Sequence, residues 1–437
     1  MSPLTGGLIG CLILVILLLS SMPVAFAMLA AGLVGFTLIT NPLAAASMVS
    51  AELFDTFSSY NLTVIPLFVL MGQVAFHAGI SGGLFKAAYT WIGHLPGGLA
   101  MATVGACAGF GAISGSGPAT AATMATVALP EMRKYHYADS LAAGTVAAGG
   151  SLGMLIPPSV VFIVYALMTE QSIGALFLAG IVPGVIISLL FCLTIFILCV
   201  RNPKLGPQSE RHSWGQKFRS LGGVIEILLL FVFVMGGMFG GLFTAIEAAA
   251  IGAAGSLLIA LFKRALSWAV LRQILLETAR TSGMIFIIVA AAVVFGRFLA
   301  ISQIPYAVAG WFSSLPLPGF LVMALVIVFY LVLGCFIDSL ALVLLATPIF
   351  YPVVLDLGYD PIWFGVLIVV ITQMGVITPP VGVNVYVVSG IERDLPLNTI
   401  FRGSMPFLVT LILFALLLIA VPDIALILPK LAAKGGL

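Results

Sequence analysis

The sequence predicts an all-α polytopic membrane protein built from two inverted repeats. Each repeat holds a re-entrant helical hairpin and a transmembrane helix broken at a Pro-Pro pair. Three observations predict this. Of 437 residues, 62% are apolar and 7% charged, whereas an ordinary globular domain is about a quarter charged. Two long apolar runs each carry a Gly and then a Pro pair, LGMLIPPS at 152–159 and MGVITPPV at 374–381. Other Gly and Pro landmarks recur at nearly the same spacing as these pairs.

Pro lacks a backbone donor and clashes with the preceding helical turn. Pro157/Pro158 and Pro379/Pro380 therefore unwind their helices and free carbonyls, which a bilayer tolerates only where protein, water or an ion satisfies them. Paired breaks of this kind fit a secondary transporter made of internal repeats. The remaining composition is quiet. A net charge of +2 implies no nucleic-acid partner. The five cysteines sit singly in apolar runs and read as small buried hydrophobes.

In chain order, spans are expected at about 4–20, 24–40, 62–80, 138–170, 174–200, 223–242, 244–262, 278–300, 361–390 and 400–420, since crossing takes about 20 apolar residues. No Lys or Arg precedes the first run, so it reads as a retained helix rather than a cleaved signal. Stretches 99–130 and 319–352 read as hairpins, because their centres, Ser114-Gly115-Ser116-Gly117-Pro118 and Asp338-Ser339, are polar and small. Stretch 263–280, and 81–94 with Lys86 and Trp91, read as amphipathic helices on the membrane surface.

Charge sorting supports this division. With ten crossings and two hairpins, 14 of the 17 Lys and Arg residues fall on one side, the cytoplasmic one. The opposite loops carry Glu52, Asp55, Glu170, Asp356 and Asp360. Both termini then face outward. The exceptions are Arg297, Lys430 and Lys434. The repeat also extends beyond the Pro pairs. Gly111 aligns with Gly334 and Ser116 with Ser339 at 223 residues, and Pro130 with Pro352 at 222. The first unit enters from outside and the second from inside, so the repeats are inverted.

The first tip offers the hydroxyls of Ser114, Ser116 and Thr120 beside Gly115 and Gly117. Such a tip can aim helix N-terminal NH groups at an anion and C-terminal carbonyls at a cation. Asp338, in the second tip after Gly334, is the most deeply placed acid. A buried acid defaults to a functional role: it can ligate a cation, carry a proton or pair with Arg297. Thr378, Gly382 and Asn384 flank the second Pro pair and add neutral oxygens that suit a monovalent cation. Glu226 and Glu247 fall in the spans between repeats and read as partner-packing residues. The four histidines are scattered, and no phosphate-binding Gly-Lys-Ser or Gly-Lys-Thr loop occurs, so neither an enzyme site nor ATP use is expected.

Several strings resemble a known family. Val24-Ala25-Phe26-Ala27 after Pro23, Ile65-Pro66-Leu67-Phe68, FGAISGSGPATAAT from Phe110, LIPPS from Leu155 and TPPVGVNVYVVSGI from Thr378 are similar to the large, M-type membrane subunit of tripartite ATP-independent periplasmic (TRAP) transporters. The resemblance covers essentially the whole chain. It implies an elevator-type, ion-transporter-superfamily-like permease in the cytoplasmic (inner) membrane of a bacterium or archaeon. Sodium would drive uptake of a small carboxylate. A periplasmic substrate-binding protein (P type) and a small four-helix membrane subunit (Q type) would be partners.

By position, one Na+ site falls to Ser114, Gly115, Ser116, Pro157 and Pro158. The second falls to Gly334, Asp338, Ser339, Thr378, Pro379, Gly382 and Asn384. Substrate falls between the tips, at Ser114, Ser116, Gly117, Thr120, Asp338 and Ser339. The implied division is N-terminal scaffold helices in 1–61, a first repeat in 62–200, a loop, scaffold helices and an arm in 201–277, a second repeat in 278–420 and a tail in 421–437. A single-component sodium/dicarboxylate symporter of the same superfamily is the alternative, and a non-transporting membrane scaffold the rival from another class.

Overall fold

The computed structural model describes residues 2–209, 211–314 and 316–434, and its regular structure there is helical. Helices α1 (Pro3–Leu19) and α2 (Val24–Ile39) match the first two expected spans and are separated at Pro23. Residues 42–58, read from the sequence as an outer loop, instead form α3 (Pro42–Ser58). Asn41 caps it, its side chain accepting from Ala44 N at 2.8 Å, and Pro42 occupies the first turn, both strong helix-start signals. Helix α4 (Val64–His77) follows a short 3-10 turn, and α5 (Ile80–Ile92) is the expected amphipathic segment.

The first hairpin is α6 (Gly98–Ser114) and α7 (Gly117–Lys134), joined by two residues. The first broken span is α8 (Asp139–Ser151), a 3-10 turn over Leu152–Met154, the Pro pair, and α9 (Val160–Thr169). Then comes α10 (Ile173–Arg201), 29 residues long.

Between the halves lie α11 (Trp214–Leu221), α12 (Ile225–Phe239) and α13 (Ala245–Phe262), with α11 bent 58° from α12. Glu226 and Glu247 lie in the first turns of α12 and α13. Glu226 meets Lys263 at 3.2 Å, and Glu247 completes a capping box with Thr244.

The expected surface helix at 263–280 is not separate. Residues 268–280 continue into the span as α14 (Trp268–Ser302), 35 residues long. No Gly or Pro interrupts positions 268–282, so nothing stops the helix at the membrane surface. At 1.5 Å per residue it is about 50 Å long, enough to cross and project.

The second half runs α15 (Ile304–Ser314), the hairpin α16 (Gly319–Gly334) and α17 (Ser339–Asp356), the broken span α18 (Pro361–Gly375) and α19 (Val383–Ile391), and α20 (Leu397–Ala420). The expected tail contains a helix, α21 (Asp423–Lys434). Helix starts repeat between halves. Gly98 and Gly319 are 221 residues apart, Gly117 and Ser339 222, Asp139 and Pro361 222, Val160 and Val383 223, and Ile173 and Leu397 224.

Six described helical stretches are long and apolar enough to cross alone, against ten crossings expected. The expected spans at α1 and α2 are 17 and 16 residues, and the broken spans are each divided in two. Helix α17 meets the length test, so the hairpin reading rests on charge sorting and not on length.

Helices α10 and α20 pack with the broken spans. Gly144 of α8 faces Gly403 of α20, and a Cβ on either would strike the other helix's backbone. Thr194 and Thr410 hydroxyls lie 2.8 Å apart, and Trp363 Nε1 donates to Leu418 O at 2.9 Å. A second group packs α2 along α14 and α4 along α13.

Candidate functional site

Each Pro-Pro break is docked against the tip of its own hairpin. In the first half, Gly115 ends α6 with φ +63°, a conformation Gly adopts without strain. A Cβ there would lie 2.6 Å from Pro158 O. Gly115 O accepts from Val160 N at 3.3 Å. Ser116 caps α7, its hydroxyl accepting from Ala119 N at 3.5 Å. Thr120 donates to Ser116 O at 2.7 Å, and the Ser114 hydroxyl lies 2.9 Å from Thr120 Oγ1. Having spent its one proton, Thr120 accepts from Ser114. Ser114, Gly115, Ser116, Thr120, Pro157 and Pro158 are thus brought together as the sequence suggested.

The second half repeats the docking. Cys335 O accepts from Val381 N at 3.2 Å. A Cβ on Gly375 would lie 2.6 Å from Gly334 C and O, just as one on Gly111 would lie 2.6 Å from Gly153 Cα. Asp338 is the N-cap of α17, with Oδ1 accepting from Leu340 N at 3.0 Å and Oδ2 from Ala341 N at 3.3 Å. The Thr378 hydroxyl donates to Met374 O at 2.6 Å, and Gly382 begins α19 with φ +57°. Both Pro-Pro bonds are cis. Pro157 and Pro158 are buried, while Pro379 and Pro380 are exposed.

Arg297 is not Asp338's partner. It pairs with Glu52 of α3. That pairing explains how a basic residue comes to lie among the acidic outer loops, and it leaves the Asp338 carboxylate with its cap bonds alone among hydrogen bonds and ion pairs of the described residues.

The two tips meet at a cavity of about 380 Å³. Ser114, Gly115, Ser116, Gly117 and Thr123 come from the first hairpin, Asp338 and Ser339 from the second. Gln73 and Phe76 of α4 and Thr281 and Met284 of α14 form the opposing wall. Asp338 is the one charged residue among those lining it. Thr120, Pro157, Pro158, Gly334, Thr378, Pro379, Gly382 and Asn384 are not among the residues lining it.

Asn384 faces the other half. Its Nδ2 donates to Ala147 O of α8 at 3.0 Å, and one turn on, Gln373 Nε2 donates to Ser151 O at 3.1 Å. Both side chains are fully buried, and Asn384 Oδ1, Gln373 Oε1 and Ser339 Oγ have no hydrogen-bond partner. Sequence reasoning passed over Gln373. Its signal was available: it is the lone amide side chain in the apolar run 361–377.

Residues 11–424 match the family described as "Tripartite ATP-independent periplasmic transporter, DctM component". The chain is 38% identical over 380 residues to a C4-dicarboxylate TRAP transporter large permease protein of Pseudomonas aeruginosa, covering 87% of this chain and 88% of that one. It is 34% identical to a sialic acid TRAP transporter large permease protein of Vibrio cholerae, covering 96% and 97%. The crystal structure of the Alcanivorax borkumensis YdaH transporter shares the fold at a TM-score of 0.60 and 15% identity, covering 88% of this chain and 89% of that one.

Proposed function

The chain belongs to the DctM-component family of the tripartite ATP-independent periplasmic transporters, and from that premise we propose sodium-driven uptake of an organic acid anion by an elevator motion. It is a large permease subunit of such a transporter and a multi-pass membrane protein. The observation that carries the proposal is the shared cavity: both hairpin tips reach it, and Asp338 is its one charged lining residue.

The mobile body comprises the hairpins, the broken spans, α10 and α20. The scaffold comprises α1 to α4 and α12 to α14. The Gly144–Gly403 crossing and the Thr194–Thr410 contact support assigning α10 and α20 to the mobile body. The repeats are inverted about an axis near Gln373. This residue bonds to Ser151, its own equivalent 222 positions earlier, and equivalent positions touch only close to the axis that relates them.

Substrate carboxylate sits at the first tip beside Ser114, where the N-terminus of α7 at Gly117 and the Ser116 hydroxyl favour an anion. Its other end reaches Asp338 and Ser339. Sodium takes oxygens at Ser114, Gly115, Ser116, Pro157 and Pro158 in one half. In the other half it takes Gly334, Asp338, Ser339, Thr378, Pro379, Gly382 and Asn384. The unpartnered Ser339 Oγ and Asn384 Oδ1 are neutral oxygens of the kind such an ion uses. Relatives named for C4-dicarboxylate and sialic acid support a carboxylate cargo. A periplasmic binding protein delivers it, a small membrane subunit supports the scaffold, ATP is not consumed, and both termini face the periplasm.

Reconstitution in proteoliposomes tests this. Uptake of a carboxylate should require an inward sodium gradient, the small subunit and the binding protein. Uptake by this chain alone would instead support the single-component symporter. Sodium-independent uptake with all partners present would remove the coupling proposal.

A further inference from the structure

The cytoplasmic surface carries a built basic and aromatic patch that the transport reading does not use. Residues 202–209 form an ordered strap rather than a free loop. Ser209 N and Oγ both donate to Gly93 O, at 3.3 and 2.7 Å, and Gly97 N donates to Gly206 O at 3.1 Å. Tyr137 OH donates to Pro207 O at 2.9 Å. The strap delivers the chain to α11, which starts with a capping box between Ser213 and Gln216.

On α11, Trp214, Lys217 and Phe218 share one face by helical spacing. Trp91 of α5 donates its indole N–H to Lys217 O at 3.1 Å and packs against Phe218 with ring centroids 5.9 Å apart. Lys217 Nζ lies 5.0 Å from the Trp214 ring centre. Yet Trp214 and Phe218 remain 67% and 63% exposed, so an aromatic face held in place is left uncovered. Basic residues outnumber acidic ones around it: Arg211, Lys217 and Arg219 have no ion-pair partner among the described residues, and Glu210 is the one acid of the sequence between Arg201 and Glu226. The His94 imidazole nearby is held below its ordinary range by desolvation first, then by Lys217, Arg211 and His212.

We propose that α11 and its strap bind anionic phospholipid headgroups, with Trp214 and Phe218 seated at the headgroup level and Arg211, Lys217 and Arg219 on the phosphates. The chemistry matches on both counts: aromatic rings favour the membrane–water interface, and unpaired cations favour an anionic leaflet. The basic side of the charge sorting is the one that carries α11. Since α11 is joined to α5 through Trp91, the lipid holds the segment leading into the first hairpin at a fixed depth.

Fluorescence quenching of the full chain in vesicles tests the proposal. The Trp214 component is the difference between the wild type and Trp214→Phe. Vesicles carry either acyl-brominated phosphatidylglycerol or acyl-brominated phosphatidylcholine in an otherwise identical lipid mixture. Half-quenching of the Trp214 component should need roughly fivefold less phosphatidylglycerol per contributing cation (about 1 kcal/mol each). The combined variant Arg211→Gln, Lys217→Gln, Arg219→Gln should lose that preference while its quenching by phosphatidylcholine stays as in the wild type, which also shows that α11 remains folded and seated. Equal quenching of the wild type by both lipids overturns the proposal. So does absence of quenching by either, which would mean that a protein surface covers α11.

Discussion

Asp338 can be a helix cap, a cation ligand or both, and two substitutions separate the roles. Its carboxylate caps α17 through Leu340 N and Ala341 N at 3.0 and 3.3 Å. Asn retains an oxygen for the Leu340 bond, and Ala retains none. Removing a cap costs about 1 kcal/mol, so Asp338→Ala should lower thermal stability by that amount and Asp338→Asn should leave it nearly unchanged. The charge has a separate consequence. A carboxylate ~4 Å from a monovalent cation contributes ~4 kcal/mol at an effective dielectric of about 20. Desolvation offsets part of this, and a net of about 2 kcal/mol is roughly thirtyfold in sodium half-saturation. No other charged residue lines the cavity to compensate. Sodium titration of uptake by the reconstituted transporter, run beside thermal melting, reads both effects. Asp338→Asn with wild-type sodium half-saturation would refute the ligand role and leave a cap alone.

Gly375→Ala should disrupt the second docking, because its Cβ would meet Gly334 backbone at 2.6 Å; overpacking of that kind costs about 1–3 kcal/mol. Gly296→Ala, with nothing within 4 Å, is the control, and equal melting of the two variants would discount the Gly–Gly contact. Gln373→Leu should cost about 1 kcal/mol by removing the Ser151 bond, with its effect seen in melting. A stabilised Gln373→Leu would show that the amide does not hold the two broken spans together.

Much of the fold was legible because hydropathy, Pro-Pro pairs and Lys/Arg sorting are local signals. The hairpins, both breaks and the α5 segment follow from them. What escaped depended on context. Residues 42–58 mix Ala, Ser and Glu and look like a loop by hydropathy, although Asn41-Pro42 announces a helix start. The basic residues of 268–280 suggested a separate surface helix, but only a breaker would separate it from the span, and none is present. Arg297 looked available to Asp338 because pairing across the chain cannot be read from spacing; α3 brings Glu52 to it instead. For the site, the tips and breaks were legible as landmarks. The bond from Gln373 to Ser151 was not, since it joins two halves whose crossing point only packing defines.

The two halves match in contacts but not in how their polar groups are satisfied, and this difference has a measurable consequence. In the first, the Ser114–Thr120–Ser116 chain is internally bonded and its Pro pair is buried. In the second, Ser339 Oγ and Asn384 Oδ1 are buried without partners and its Pro pair is exposed. A buried unpaired polar group costs about 1–3 kcal/mol, which a cation among these oxygens would recover. A ligand that binds the folded form stabilises what it touches by mass action. Saturating sodium should therefore slow hydrogen exchange more over 376–391 than over 154–169, the equivalent stretch of the first half. With sodium replaced by choline, the difference should vanish. Equal protection of both breaks would mean that the ion sites are alike, and that the unpartnered oxygens of the second half do not distinguish it.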